Sequence, residues 1–400
     1  MRLCILASEY PSTTQTFVYE PIEWLRARGH EADVVADRRG TLPGVDGARF
    51  PVTVAGRGWL DRRTKLRNLV GSPVQAVQGY GTAAWWARGA EWSTWETLAR
   101  SLLEPLRRAD GVLAHFGPHG IRWLPAVATA SKPYAVFIHG YDATSWPREH
   151  PDVYRPLIES GAGFIANGEY IESRLVDLGV PRERIAICRI GASTDVAAIA
   201  DPPDLTPQRV LTIARLVDKK GVADSIAAFA EAQDVLGGGW QYDIVGDGPL
   251  LPALRALAER LGVGALVRFR GFLSRRDTIQ ALAQSSVFML ASRTAPNGDT
   301  EGTPVSIIEA ATLGLPVVST LHAGIPEILP AEGTRAGLLV AEGDVAGLAG
   351  ALRLLGSSAA ERRHWGEMNR ERARSRYSAA SHVATLLESM ARVARPPSRA

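Results

Sequence analysis

The stretch Asn297–Glu327, NGDTEGTPVSIIEAATLGLPVVSTLHAGIPE, admits one local order: polar loop, short helix, buried strand, second loop. Asn297-Gly298-Asp299-Thr300-Glu301-Gly302 is the opening loop. Thr303 suits an N-cap and Pro304 a first helical position. Val305, Ile308 and Thr312 recur at helical spacing, Gly314 stops the helix, and Pro316-Val317-Val318-Ser319 reads as a buried strand. A chain that alternates helix and buried strand in this way belongs to the α/β class with parallel sheets.

The first turn of such a helix exposes unpaired backbone N–H groups and the positive end of the helix dipole, which together favour phosphate. Gly302 lets a ligand come close to the backbone. Glu301 and Glu309 flank the same end, because helical side chains lean toward the N-terminus. Carboxylates do not suit an anion, but they accept hydrogen bonds from the hydroxyls of a ribose or hexose attached to one. Phosphate donors beside hydroxyl acceptors describe a nucleotide-sugar site. Taken by itself the glutamate pair reads better as two solvated side chains that fall eight apart by chance, so its weight comes from the residues around it.

Those residues resemble the retaining family-4 glycosyltransferases of the GT-B fold. Glu301-Gly302-Thr303-Pro304, Glu309-Ala310-Ala311 and Gly314-Leu315-Pro316-Val317-Val318 follow that family's E-G-x-P-x-x-x-x-E-A-x-x-x-G-x-P-V-V segment. Ala323-Gly324-Ile325-Pro326-Glu327 is similar to its G-G-x-P-E. Upstream, the apolar run Val210–Ala214 leads to Arg215 and Lys220, just before a helix expected near Val222. An arginine fork with a lysine point charge suits a diphosphate. These positions resemble the family's G-R-L…K-G, with Ala214 in place of the usual glycine. Gly246-Asp247-Gly248-Pro249 matches its G-x-G-P turn, and Gly271-Phe272 the loop beside the nucleobase.

The first half is less specific. Leu3–Ala7 reads as a buried strand, too short for a signal sequence, and is followed by a loop to Phe17, a helix over Val18–Arg28 and a strand at Val34–Ala36. The family's frequent Gly-Gly pair is missing from that first loop. Tyr10-Pro11-Ser12 with Thr14, Thr16 and Phe17 instead resembles the branch found in exopolysaccharide synthesis, and places Thr14 and Thr16 on the acceptor side. A plain turn-and-cap role suits Ser12–Thr16 equally well. Two further strands deliver His115-Phe116-Gly117-Pro118-His119 and His139-Gly140-Tyr141-Asp142 at their C-terminal ends, where open α/β sheets carry ligands. His139 resembles the family histidine that touches the donor sugar. His115, His119 and Asp142 are expected on the acceptor side.

Four hundred residues hold two ordinary domains, and 46% hydrophobic with 22% charged residues reads as a soluble globular chain. A net charge of +3 does not argue for nucleic acid. Cys4 and Cys188, both in apolar runs, read as buried thiols, so a reducing cytoplasm is expected. No apolar run reaches the length of a membrane span. No Asp-x-Asp occurs and the histidines lack ligand spacing, so no metal and no cofactor beyond the nucleotide sugar are expected. Residues Arg57–Arg108 hold half of the ten tryptophans (Trp59, Trp85, Trp86, Trp92, Trp95) and the basic group Arg62, Arg63, Lys65 and Arg67. This reads as helical core with a wet face, against the alternative of an acceptor-side insertion that leans on lipid at the inner face of a membrane or holds a large acceptor.

The expected architecture is GT-B. A Rossmann-like acceptor domain spans residues 1–200, and a nucleotide-sugar domain spans 201–375 after a proline-rich linker at 201–207. A C-terminal helix in 376–400 returns to the first domain. In GT-B enzymes the two domains face one another across a cleft. The resemblance implies metal-independent, retaining transfer from a nucleotide diphosphate sugar, with UDP favoured over GDP. The acceptor is a small-molecule or lipid-linked hydroxyl, in exopolysaccharide or natural-product (for example antibiotic) biosynthesis. Glu301, Arg215, Lys220 and His139 carry the transfer; Gly302, Thr303, Pro304, Val305, Glu309, Gly246, Gly271 and Phe272 hold the donor. An epimerase, a pseudo-glycosyltransferase or a silent partner protein on the same fold are the alternatives.

Overall fold

The computed structural model describes residues 1–12, 15–42, 50–55, 82–84, 93–199, 203–330, 332–335 and 338–398. The chain divides into two compact units, Met1–Arg189 with His382–Ala400, and Ile190–Ser381.

In the first unit seven strands form one parallel sheet: β1 (Arg2–Tyr10), β2 (Glu31–Arg39), β3 (Thr53–Val54), β4 (Gly111–His115), β5 (Tyr134–Ile138), β6 (Gly163–Ala166) and β7 (Ile185–Ile187). Their lateral order is β3-β2-β1-β4-β5-β6-β7. Strands β4, β5 and β6 are buried along their whole length, which is why they read as unbroken apolar runs rather than alternating ones. Trp123, Tyr134, Phe137 and Phe164 fill the space between sheet and helices. The chain doubles back on β1, so β2 and β4 flank it on opposite sides. The loops after β1 and β4 therefore open beside each other at the C-terminal edge.

The second unit repeats the plan with β8 (Arg209–Ile213), β9 (Gln241–Val245), β10 (Val267–Gly271), β11 (Val287–Leu290), β12 (Val317–Thr320) and β13 (Leu339–Val340), in the order β10-β9-β8-β11-β12-β13. Edge strand β10 alone among the longer strands here alternates buried and open positions. The order reverses between β8 and β11. The loop after β8 then touches the loop after β11, where Arg293 N–H donates to the Lys219 carbonyl over 2.9 Å.

Several boundaries differ from expectation. The helix expected over Val18–Arg28 spans Thr16–Ala27. The helix of the central stretch spans Val305–Leu313, and its N-cap is Pro304, still extended at ψ 111°, rather than Thr303. The units exchange at Arg189/Ile190 and not at the proline-rich stretch, whose described residues 203–207 lie inside the second unit. Ala192 N–H already donates to the Tyr377 carbonyl over 2.6 Å, which ties the chain into the second unit before that stretch. The last helix, Ala379–Val393, joins the first unit from His382 onward, and Arg395 beyond it pairs with Tyr134 of β5. The tryptophans Trp59, Trp85, Trp86 and Trp92, the side chain of Trp95 and the basic group Arg62–Arg67 lie outside the described residues. No described helix is long and apolar enough to cross a membrane.

Candidate active site

All loops of interest in the second unit leave the C-terminal ends of its strands. After β8 the chain runs through Arg215 to Lys220, and Lys220 Nζ lies 2.8 Å from Glu301 Oε1. Glu301 is only 6% exposed. Burial pushes its carboxyl up, but the ammonium groups of Lys220 and Lys219 outweigh burial and hold it below the usual carboxylate range. Lys219 is buried against Asp299 at 3.0 Å and the Thr300 carbonyl at 3.2 Å. The basic run is thus built into the site rather than solvated. Arg215 is exposed, and its side chain has no partner among the described residues.

Glu309 sits in the helix Val305–Leu313, 4% exposed, with Oε1 2.7 Å from an Arg275 guanidinium nitrogen. At the start of that helix the amides of Val305 and Ser306 have no partner among the described residues, since Ile307 and Ile308 take the Pro304 carbonyl. Two unpaired amides, two buried carboxylates and three cations converge here, a set able to bind a diphosphate together with hydroxyl groups. Gly302 is held by the next loop: Gly324 N–H donates to its carbonyl over 3.2 Å. Gly246 has φ +129°, and a Cβ there would lie 1.9 Å from the Ala214 carbonyl, so the turn after β9 needs glycine to sit against β8. Gly271 ends β10, and Phe272 beside it is 57% exposed.

In the first unit His139 and His115 meet, His115 Nδ1 3.0 Å from His139 Nε2. The His139 ring lies between Phe17, Phe116 and Phe137, with centroids 4.5, 4.8 and 4.6 Å away. Its Nδ1 is buried without a partner among the described residues. Burial, with His115 and His382 nearby, keeps His139 neutral by pushing its pKa well down; burial and His382 lower His115 to about 3. Like His115, the other described strand-end residues expected on the acceptor side, Asp142 and His119, are buried. The Asp142 carboxylate is fully buried and accepts the N–H groups of Gly117, His139 and Gly140, so it clamps the two histidine loops together. His119 is 6% exposed and faces Asp37 at 3.6 Å, which also binds Arg122 at 2.5 Å. Thr16 opens the first helix, and Thr14 lies outside the described residues.

Sequence reading missed three partners: Arg275, Lys219 and His322. Arg275-Arg276 opens the helix Arg275–Ala283, where the dipole disfavours cations, and that misfit was a usable signal. Lys219 differs from Lys220 only by the direction it faces. His322, whose Nε2 accepts the Glu301 N–H over 3.1 Å, carried no signal at all. Among the described residues no group of side chains is arranged to hold a metal ion.

Two family models cover most of the chain: "Glycosyl transferase 4-like domain" over residues 12–191 and "Glycosyl transferases group 1" over residues 199–372. The chain belongs to the family-4 glycosyltransferases and has their GT-B fold. The putative colanic acid biosynthesis glycosyltransferase WcaL of Escherichia coli (strain K12) is 30% identical over 369 residues, 87% of this chain and 89% of that protein. The amylovoran biosynthesis glycosyltransferase AmsK of Erwinia amylovora is 28% identical, over 90% of this chain and 92% of its own. The crystal structure of Anabaena Alr3699/HepE in complex with UDP superposes with a TM-score of 0.68 over 98% of this chain and 100% of that one, at 19% identity.

Proposed function

We propose that the protein transfers a sugar from a nucleotide diphosphate sugar, a UDP-sugar by preference, to an acceptor hydroxyl in exopolysaccharide assembly, with retention at the anomeric carbon. Likeness to WcaL and AmsK supports the pathway, and the UDP bound to HepE supports the base. The observation that carries the reading is the convergence on the helix Val305–Leu313: Glu301 held by Lys220, Glu309 held by Arg275, and two open amides between them.

In this reading Glu309 accepts the ribose hydroxyls and Glu301 a sugar hydroxyl. Arg215, Lys220 and the Val305 and Ser306 amides stabilise the charge that grows on the diphosphate as the glycosidic bond breaks. The leaving diphosphate oxygen takes the acceptor proton, so the bond to the incoming hydroxyl forms on the face from which the nucleotide departs. Positive charge supplied by side chains and amides makes a divalent ion dispensable. The buried Cys4 and Cys188, both free thiols, fit a reducing compartment.

The test incubates the full chain with a panel of nucleotide sugars and polysaccharide-repeat acceptors, with and without EDTA, and reads the product's anomeric configuration by NMR. Transfer from a UDP-sugar with retention, unchanged by EDTA, is expected. An inverted product, or a rate abolished by EDTA and restored by magnesium, overturns the mechanism; an altered sugar nucleotide with no new glycoside overturns the function.

A further inference from the structure

His322 follows β12 and is 1% exposed, yet both ring nitrogens are engaged. Nε2 lies 3.1 Å from the Glu301 amide nitrogen, and Nδ1 lies 2.6 Å from Glu342 Oε1. A peptide N–H can only donate, so Nε2 must carry the lone pair. In a neutral imidazole the proton is then on Nδ1, where it donates to Glu342. The tautomer follows from the contacts.

Glu342 is itself fixed. Its Oε2 accepts the Thr294 N–H at 2.8 Å, and its Oε1 the Thr294 hydroxyl at 3.3 Å. Burial pushes its carboxyl up, but the Thr294 N–H and His322 outweigh burial and keep it ionised. Three loops, after β11, β12 and β13, are thereby linked in series to one peptide group. Glu301 is held twice: its carboxylate by Lys220, and its N–H by His322.

We infer that His322, backed by Glu342, is a positioning residue that fixes the Glu301 peptide, and through it the point at which the Glu301 carboxylate meets the donor sugar. The inference rests on the role given to Glu301 above. His322 touches no reacting atom. It works by denying the loop Asp299–Gly302 the small displacements that would take the carboxylate out of register.

Two substitutions separate this from simple packing. His322→Gln carries an amide oxygen near the Nε2 position and can still accept the Glu301 N–H. His322→Asn keeps an amide near Nδ1 for Glu342 but falls short of Glu301. The Asn variant is expected to lower kcat by roughly ten- to a hundredfold, with nucleoside diphosphate affinity within about twofold of the parent, and the Gln variant to recover most of the rate. Equal loss in both variants, or better activity in Asn than in Gln, overturns the proposal. In a Glu301→Gln background the Asn change is expected to cost less than about twofold more, because the two act as one unit. An additive loss overturns it.

A third readout needs no turnover. Hydrogen exchange at the Glu301 amide is expected to be slow in the parent and in His322→Gln, and fast in His322→Asn. Fast exchange in the parent overturns the anchor. A protected amide in a protein that transfers from no nucleotide sugar overturns the functional reading of Glu301 while the anchor stands.

Discussion

Glu301 and Glu309 are alike in sequence but not in surroundings. Glu309 faces the guanidinium of Arg275 at the start of the helix that follows β10, whereas Glu301 is held by Lys220 and, at its peptide, by His322. Glu309→Ala is therefore expected to weaken nucleoside diphosphate binding by about 1–3 kcal/mol, the cost of losing a charged hydrogen-bond acceptor. Glu301→Ala is expected to slow transfer while leaving that affinity near the parent value. Calorimetric titration with UDP beside steady-state turnover distinguishes the two, and parental UDP affinity in Glu309→Ala would remove the ribose role. Lys220 and Arg215 separate on different grounds. Lys220→Ala removes the direct partner of the buried Glu301 carboxylate and leaves only the more distant Lys219 charge, so it is expected to lower melting temperature as well as turnover. Arg215 is exposed and unpaired among the described residues, so Arg215→Lys is expected to cost rate alone, roughly ten- to a hundredfold, because a point charge does not replace the fork. A variant as fast as the parent would take Arg215 out of the diphosphate site.

Elements explain why some of this could be read from the chain and some could not. Strands β8, β11 and β12 are short, largely apolar runs ending at polar loops, and were legible on that pattern. Lys220, Glu301 and Glu309 were legible because their spacing is a local property of one loop and one helix. The pairs Arg275–Glu309 and His322–Glu301 depend instead on the lateral order β10-β9-β8-β11-β12-β13, which no local pattern encodes. Asp142 shows what local pattern leaves out: a carboxylate at a strand end looks like a ligand group, while in the fold it accepts three backbone amides. Loop packing also sets a limit that the chain could not announce. A Cβ on Gly324 would stand 2.5 Å from the Gly302 carbonyl at an ordinary φ of −82°, so the penalty of Gly324→Ala is contact, not backbone strain. Pushing these loops apart is expected to cost about 1–3 kcal/mol of stability and to slow transfer with it. A melting temperature and rate equal to the parent's would show that the Gly302 loop has room to yield.

At the scale of the whole chain, acid sensitivity is expected to originate in the first unit, where four histidines are buried neutral. His115 and His119 are lowered to about 3, His382 to about 4, and His139 is pushed well down, burial being the largest cause in every case. In the unfolded chain each titrates near its ordinary value of about 6.5. Between those values the unfolded state binds more protons than the folded one, so stability rises with pH through this window. The contribution is complete above about pH 6.5 and is lost as pH falls toward 4, at roughly 1.4 kcal/mol per pH unit for each histidine fully protonated only when unfolded. Glu301 and Glu342, both held low, add a loss of the same sign at lower pH. Asp142 acts in the opposite direction, since burial raises its carboxyl and protonation there favours the folded state. Four groups against one leave the net slope positive. Thermal melts from pH 7.5 to 5 are expected to show a steady fall in melting temperature, and hydrogen exchange to place the first opening in the first unit. His382→Asn keeps a donor for the Arg189 carbonyl, which His382 Nδ1 now reaches over 2.7 Å, but cannot titrate. It is expected to make the slope shallower by about one histidine's share. A melting temperature flat from pH 7 to 5 in the parent, or an unchanged slope in that variant, would mean that the buried histidines take up protons without opening the fold.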